Sequence, residues 1–241
     1  MKKISFLFVT LLCLQFVASA QNPVYGVFES KTLFQIGMMQ DSAGDNVSSI
    51  VRFTPFANYS IQGHKDFSNK VGAYIGIGVK NQGFITKYSN DTTAKSRAYC
   101  LSIPVGLKFG NMEKDMYLYV AGEFLAQFDY KEKLFYNGEK EQKRKNYYNN
   151  DINPIAWSST IGVTLQGFTF GAEYTLSNFF DSNYHFQPAV TGSSNSSQSP
   201  TYASPSASRI LTFFVGFRTK LNSETLNTDE KKLQQAMAAR Y

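Results

Sequence analysis

The chain has few of the residues that build disulfide-stabilised or metal-dependent proteins. Two cysteines, one tryptophan and two histidines occur in 241 residues. Cys13 lies in the N-terminal leader described below, so Cys100 has no cysteine partner within the rest of the chain. His64 and His185 are distant in sequence, and two distant histidines do not indicate a metal cluster. We therefore expect no cofactor and no metal.

Long apolar runs are missing after the first 20 residues. Residues 1–20 carry Lys2 and Lys3, then an apolar core, then the small residues Ala18, Ser19 and Ala20. This order is typical of a signal peptide, so the mature chain is predicted to begin at Gln21. No later run approaches the roughly 18 residues of a membrane helix. A membrane protein without such helices must be a closed β-barrel, because lipid offers no partners to unpaired backbone groups.

A large charge of one sign is also missing. Lysine and arginine number 24 against 18 acidic residues, and Lys2 and Lys3 belong to the leader. The remaining excess is small and dispersed, which does not indicate binding of nucleic acid. We expect no nucleic-acid partner.

Alternation of apolar and polar residues is the feature that the chain does have. From Tyr99 to Gly110 every odd position is apolar or aromatic, and every even position is small, polar or charged. A period of two over about a dozen residues predicts a β-strand with one apolar face. About eleven residues is also the length of a tilted strand that crosses a bilayer. Together with the leader, the pattern predicts a strand of an outer-membrane barrel.

Seven further segments alternate in the same way, more or less cleanly, which gives eight strands. We predict an all-β fold, an eight-stranded antiparallel up-and-down transmembrane β-barrel over residues 21–220, located in the cell outer membrane. Eight is an even number, as single-chain bacterial barrels require. The predicted strands are residues 33–40, 50–62, 71–80, 99–110, 116–128, 157–166, 168–177 and 210–217. Pro55 and Pro104 fall inside two of them and predict bulges.

Loop lengths and aromatic positions agree with this barrel. Short links after the second, fourth and sixth strands alternate with long links after the others, as in barrels with short periplasmic turns. Aromatic residues fall at the strand ends, where membrane interfaces would lie: Tyr99, Phe128, Trp157, Phe109, Phe168 and Phe217. Alternation alone cannot distinguish the inside from the outside. A secreted, soluble lipocalin-type barrel with inward apolar faces therefore stays an alternative.

If the apolar faces contact lipid, the lumen receives the charged residues of the strands. An eight-stranded barrel is only wide enough for side chains to fill its interior, and buried opposite charges must pair. We predict a lumen charge network in which Glu123 and Glu173 lie among Arg52, Lys108 and Arg218. The favoured interpretation is a plugged lumen; the alternative is a charged pore constriction.

The stretch Tyr99-x-Leu-x-Ile-Pro-Val-Gly-Leu-Lys-Phe, followed by a short turn and an aromatic strand that enters Ala121-Gly122, resembles the Bacteroidota-type outer-membrane β-barrel domain, the PorT-like group. The resemblance covers roughly residues 33–220 and implies an eight-stranded fold in the outer membrane. It implies no catalytic residues, and PorT itself belongs to a secretion system. The first strand lacks the glycine-rich pattern of the group, and the chain continues beyond its last strand.

Three functions are compatible with this sequence. The first is a non-enzymatic envelope component or surface-binding barrel that contacts outer-membrane lipid and lipopolysaccharide. Residues 131–150, rich in lysine, are then either a basic patch for acidic lipopolysaccharide or another external ligand, or a solvated hairpin extension. The second is an accessory barrel of a secretion system, in which residues 221–241 form a short periplasmic helix that binds a periplasmic or envelope protein. The third is a lipid A-modifying enzyme that uses His185 with Ser177 or Ser182.

Overall fold

A computed structural model describes residues 23–88, 92–147, 151–184 and 205–221. Within these ranges, eleven strands form one antiparallel sheet, and none of the described segments is a helix long and apolar enough to cross a membrane. The strands are β1 (Tyr25–Gln40), β2 (Asn46–Ile50), β3 (Arg52–Thr54), β4 (Tyr59–Asp66), β5 (Val71–Lys87), β6 (Thr92–Asn111), β7 (Met116–Tyr136), β8 (Glu139–Tyr147), β9 (Ile155–Leu165), β10 (Phe168–Thr175) and β11 (Ala207–Leu221).

The sheet closes into a ring of eight strands, as the sequence predicts. β1 pairs with β11 from Gly26↔Leu221 to Gln40↔Ala207, which joins the first strand to the last. β2, β3 and β4 together make the second strand of the ring. β8 pairs with β7 beyond the ring and extends it as a hairpin. The predicted signal peptide lies outside the described residues, and so does the predicted tail after Leu221.

The second strand is broken, whereas the sequence predicts one continuous strand over residues 50–62. Pro55 lies between β3 and β4, and Ala57 has a φ of 62°. A proline lacks the backbone N–H that a strand ladder needs, and the ladder with β5 is interrupted between Ile50 and Tyr59, on both sides of Pro55. Pro104 lies opposite Glu123 with no register shift, and the shift between β6 and β7 lies instead at Tyr99/Cys100. The predicted bulge at Pro104 is therefore wrong.

The outer ends of the strands are longer than the sequence predicts. β5 continues to Lys87, β6 begins at Thr92 and β7 continues to Tyr136. Most outward positions of these extensions are polar or charged, with Ile85 and Phe135 as exceptions, so the apolar alternation ends while strand pairing continues. The inner turns are short, as expected: residues 67–70, 112–115 and 166–167 join neighbouring strands.

The apolar face of each strand points outward. Leu101 is 41% exposed and Val105 is 52% exposed, whereas Ser102 and Lys108 between and beyond them are buried. This arrangement contradicts the lipocalin-type alternative, in which the apolar face points inward. From Tyr99 to Phe109 the outward row of β6 rises about 26 Å along the barrel, for about 3.4 Å per residue and a tilt of about 40°. That height matches the apolar band of an outer-membrane barrel.

Candidate functional site: barrel lumen and outer extension

A buried lysine from β5 joins two carboxylates in the middle of the lumen. Lys80 Nζ lies 2.5 Å from Glu123 Oε2 of β7 and also contacts both carboxylate oxygens of Glu173 of β10. Lys80 is 6% exposed and Glu173 is 3% exposed. All three side chains point inward because they occupy the polar positions of alternating strands. One cation thus faces two anions.

A second cluster lies next to it and has the opposite balance of charge. Arg218 Nε of β11 donates to Glu29 Oε1 at 2.6 Å, and Lys31 Nζ lies 3.0 Å from Glu29 Oε2. Gln62 also donates to Glu29 Oε2, at 2.8 Å. The Arg218 guanidinium carbon lies 4.2 Å from the centre of the Tyr119 ring, in cation–π geometry. Here two cations face one anion.

The two clusters balance each other across a small cavity. Its volume is about 30 Å³, which holds about two water molecules, and it is lined by residues from both clusters, including Glu29, Lys31, Lys80 and Glu123. Three carboxylates therefore meet three cations in one connected interior. Burial of charges is tolerated when each has opposite charges and hydrogen-bond donors around it. The centre of this interior is therefore filled by paired charges.

A third pair seals the inner end of the lumen. Lys108 Nζ lies 2.6 Å from Asp66 Oδ1 and donates to the Tyr25 hydroxyl at 2.9 Å. Next to it, His64 is fully buried in β4, where its ring stacks on Tyr74 at 5.0 Å. His64 thus belongs to the packed wall of the lumen, although it lies beyond residue 62, where the second predicted strand ends.

Arg52 forms side-chain hydrogen bonds across the break in the second strand. Its guanidinium donates to the side-chain oxygen of Gln35 and, at 2.7 Å, to Asn81 Oδ1 of β5. Asn58 bridges the same break, because its Oδ1 accepts the Asn81 backbone N–H at 2.9 Å. Side chains thus supply bonds that the ladder between the second strand and β5 lacks.

The charge network therefore differs in its pairing from the sequence prediction. Arg52, Lys108, Glu123, Glu173 and Arg218 do not form one group around the two glutamates. Glu123 and Glu173 pair with Lys80, while Arg218 pairs with Glu29, Lys108 pairs with Asp66, and Arg52 binds amides. Sequence reasoning missed Glu29, Lys31 and Asp66 as partners. Counting back in steps of two from the outward residues Phe34, Ile36 and Met38 could have assigned Glu29 and Lys31 to the inward face, although the alternation of polarity itself does not continue there.

An aromatic cap closes the outer end of the lumen. Phe179 and Phe180 follow β10 and pack against Phe84 of β5, with ring centroids at 5.2 and 5.6 Å. Tyr184 stacks on Phe180 at 3.8 Å. Backbone bonds hold this segment in place: Asn153 N–H donates to Phe179 O at 3.0 Å. The sequence predicts only a long outer loop here, since no periodic pattern marks these residues.

A glutamate is buried beneath the cap, above the membrane-spanning part of β7. Glu132 Oε2 accepts hydrogen bonds from the hydroxyls of Tyr130, at 2.5 Å, and Tyr184, at 3.1 Å. Burial raises the pKa of the Glu132 carboxyl above its usual value, while the two tyrosine hydrogen bonds oppose this rise. The side chain holds the segment after β10 to the β7 extension.

A family model for the outer membrane protein β-barrel domain matches residues 26–184, about two thirds of the chain. This chain belongs to that family. The match supports the outer membrane as its location, as does the outward apolar belt. The matched region ends before β11, the strand that closes the ring in this outer-membrane β-barrel. No curated protein is significantly similar in sequence.

Solved outer-membrane proteins match this chain at low sequence identity and with low TM-scores. Ail, the attachment invasion locus protein of Yersinia pestis, in complex with the heparin analogue sucrose octasulfate, is 12% identical over 81% of this chain and 99% of its own, with a TM-score of 0.37. Neisserial surface protein A is 10% identical over 81% of this chain and 97% of its own, with a TM-score of 0.41. The NanC porin is 10% identical, with coverages of 77% and 98% and a TM-score of 0.16.

The residues named for the enzyme alternative are not assembled in the described part of this outer-membrane β-barrel. Ser177 Oγ accepts the Trp157 backbone N–H at 3.1 Å, and Ser182 Oγ donates to Asp181 at 3.3 Å. His185 lies outside the described residues. Among the described residues, no group of three or more His, Cys, Asp or Glu side chains could hold a metal ion.

The outer extension of the barrel carries six cations on its outward face. Register places Lys95 of β6 directly opposite Lys133 of β7, and Lys133 directly opposite Lys143 of β8. The next row toward the membrane is Arg97, Lys131 and Lys145. We call these six residues the basic face. β7 and β8 form a hairpin here, which is one of the two interpretations that the sequence leaves open for residues 131–150, and the register aligns its lysines with cations of β6.

Proposed function

We propose that this outer-membrane β-barrel is a non-enzymatic surface protein whose lumen is sealed and whose role lies in the surface that it displays outside the membrane. The observation that carries this proposal is the packed lumen. Three ion clusters and an aromatic cap fill it, and the cavity between the two central clusters has a volume of about 30 Å³. A substrate or solute has no room between these two clusters. The extension of β6, β7 and β8 above the membrane is then the part available to a ligand.

Surface labelling tests whether this extension is exposed on the outside of the cell. Cys100 is fully buried, so the parent protein gives little background with a membrane-impermeant maleimide. We expect Lys143→Cys, at an exposed position of β8, to be labelled on intact cells. Lys70→Cys, in the turn between β4 and β5, is the matched control and should react only after the outer membrane is permeabilised. Labelling of Lys70→Cys alone on intact cells would overturn the proposed orientation.

Conductance tests the sealed lumen. The purified barrel, inserted into a planar bilayer, should give no stable ion-conducting steps, because buried ion pairs and aromatic rings fill its interior. Regular steps of fixed conductance would instead favour the charged-pore alternative and remove the packed-lumen argument.

A second candidate function is an accessory barrel of a secretion system, of the PorT-like type found in Bacteroidota. The position of β11 favours it: Leu221 pairs with Gly26 at the inner rim, so the following 20 residues start on the periplasmic side. A pull-down from envelope extracts with and without residues 222–241 tests this candidate. Loss of a specific envelope partner on truncation supports it, and an identical set of partners removes its main argument.

A further inference from the structure

The basic face is unusual because like charges lie directly opposite one another in a sheet. Lys95, Lys133 and Lys143 form one row across three strands, and Arg97, Lys131 and Lys145 form the next. Like charges in directly opposite positions destabilise a sheet. Such an arrangement costs the isolated barrel stability, and a bound polyanion would remove that cost.

Most cations of the basic face are not paired with a carboxylate of the described residues. Within the described parts of the chain, no ion pair joins Lys95, Arg97, Lys131, Lys133 or Lys143 to a carboxylate. Arg97 Nε is buried and has no hydrogen-bond partner among the described residues. Partial desolvation, followed by the positive charges of Lys143, Arg97, Lys133 and Lys145, lowers the pKa of Lys131 from its usual value.

Aromatic rings lie above and below the cations. Lys95 Nζ lies 4.5 Å from the centre of the Phe135 ring, and the Arg97 guanidinium carbon lies 4.8 Å from the centre of the Tyr99 ring. Tyr99 lies at the top of the apolar belt, and aromatic rings of this kind mark the membrane interface. The basic face therefore begins where the hydrocarbon ends.

The strand geometry identifies where the cations point. Arg97 and Lys95 continue the same outward row of β6 that contains Leu101, Ile103 and Val105, so their side chains point toward the surrounding lipid and not into the lumen. At about 2.6 Å of height per residue, the two rows lie about 5 and 10 Å above Tyr99. Long lysine side chains can also reach downward to the interface.

We propose that the basic face binds the phosphate groups of lipid A in the outer leaflet of the outer membrane. The proposal rests on the proposed function, since it names the ligand of the displayed surface. Charge complementarity and continuity with the apolar belt together favour a lipid ligand: acyl chains lie along the belt while phosphates contact the six cations. A soluble polyanion would need the cations but not the belt beneath them.

The test compares two triple variants with the same change of charge. Lys95→Gln/Lys133→Gln/Lys143→Gln neutralises one row of the basic face. Lys65→Gln/Lys70→Gln/Lys114→Gln neutralises three lysines near the inner end and is the matched control. Each barrel is placed in phosphatidylcholine nanodiscs with bisphosphorylated lipid A or with dephosphorylated lipid A, and native mass spectrometry counts the lipid A that each barrel retains.

We expect the parent and the control to retain bisphosphorylated lipid A, and the row variant to retain at least about tenfold less. Each cation near a charged membrane surface contributes roughly a fivefold change, and neighbouring cations compensate in part. All three proteins should retain little dephosphorylated lipid A. Equal retention by the row variant and the control would overturn the proposal, and so would equal retention of the two lipids by the parent.

Stability in lipid-free detergent separates binding from folding. Because the row variant loses repulsion between like charges, its midpoint of unfolding should be unchanged or higher than that of the parent. If this triple variant does not fold, Lys143→Gln alone, at an exposed position, should lower retention about fivefold.

Binding of soluble inorganic polyphosphate shows whether the phosphate ligand is a lipid or a soluble polyanion. Tighter binding of polyphosphate than of lipid A by the parent barrel would identify a soluble polyanion as the ligand and overturn the lipid proposal. In either case, surface labelling and the absence of conductance would be unaffected, so the failure of this proposal is distinguishable from failure of the proposed function.

Discussion

At the scale of single residues, Lys80 is the cation that balances the charge of two carboxylates in the lumen. It is the cation that contacts both Glu123 and Glu173. Removal of one partner from a buried ion pair leaves an uncompensated charge and costs about 3–5 kcal/mol. We therefore expect Lys80→Met to lower the free energy of unfolding by that amount, and Lys80→Met/Glu173→Gln to recover part of the loss. Urea titration followed by the fluorescence of Trp157, the single tryptophan, measures both. A Lys80→Met barrel as stable as the parent would contradict the assigned pairing.

Gly106 shows how the lumen makes room for large rings. A Cβ atom at this position would lie 2.5 Å from the Tyr74 ring, whereas a Cβ at Gly122 of β7 would meet nothing within 4 Å. Forcing extra volume into a packed interior costs about 1–3 kcal/mol. Gly106→Ala should therefore lower the free energy of unfolding by about that amount, with Gly122→Ala as the control. Equal effects of the two variants would show that the lumen is not packed at Tyr74.

The inward direction of Glu173 and Arg218 could be predicted from alternation, but their partners could not. Glu29 and Arg218 are separated by 189 residues and pair across the closing β1–β11 seam, whose register no local pattern specifies. Glu29 and Lys31 were also missed because the outward residues between and after them, Ser30 and Thr32, are polar. The apolar alternation that marks a strand is therefore absent there, although the backbone pairing is not.

At the scale of structural elements, one buried carboxyl group helps to hold the outer cap on the β7 extension. Because the pKa of Glu132 is raised in the folded state, the folded state binds more protons than the unfolded state between the usual glutamate pKa, about 4.3, and the raised value. The contribution of Glu132 to stability therefore falls as the pH rises through that interval. Glu132→Gln keeps a neutral side chain and removes this dependence.

We expect Glu132→Gln to stabilise the barrel relative to the parent by an amount that grows from pH 4 to pH 8. Unfolding midpoints in urea across this range measure the difference. Glu139→Gln, at an exposed position in the β7–β8 hairpin, is the control and should show little change. A difference between Glu132→Gln and the parent that shrinks as the pH rises would contradict the raised pKa of the buried Glu132 carboxyl group.

Strand existence could be predicted well from the sequence, while strand ends and breaks could not. Residues 116–128 alternate clearly, and β7 begins at the predicted Met116. The same strand continues to Tyr136 because backbone pairing with β6 and β8 does not need an apolar face. Near Pro55, side-chain hydrogen bonds from Arg52 and Asn58 replace the missing backbone pairing, and a period of two does not reveal such bonds.

At the scale of the whole molecule, the account depends on an inverted distribution of polarity. Polar and charged residues fill the centre of the lumen, apolar residues cover the outer wall of the barrel, and cations lie above the apolar belt. The family match and the outward apolar rows together identify an outer-membrane barrel. The sequence predicts the belt because a period of two is local, whereas the cap of Phe179 and Phe180 depends on contacts between distant segments.

Spin-label accessibility at two adjacent residues of β6 tests the central claim most directly. In a background where buried Cys100 is replaced by alanine, labels at Ile103→Cys and Ser102→Cys are compared in lipid bilayers. We predict that the Ile103 label collides with oxygen dissolved in hydrocarbon and not with a water-soluble nickel complex, and that the Ser102 label is shielded from both. An Ile103 label that is open to the nickel complex, with a Ser102 label in contact with lipid, would contradict the account.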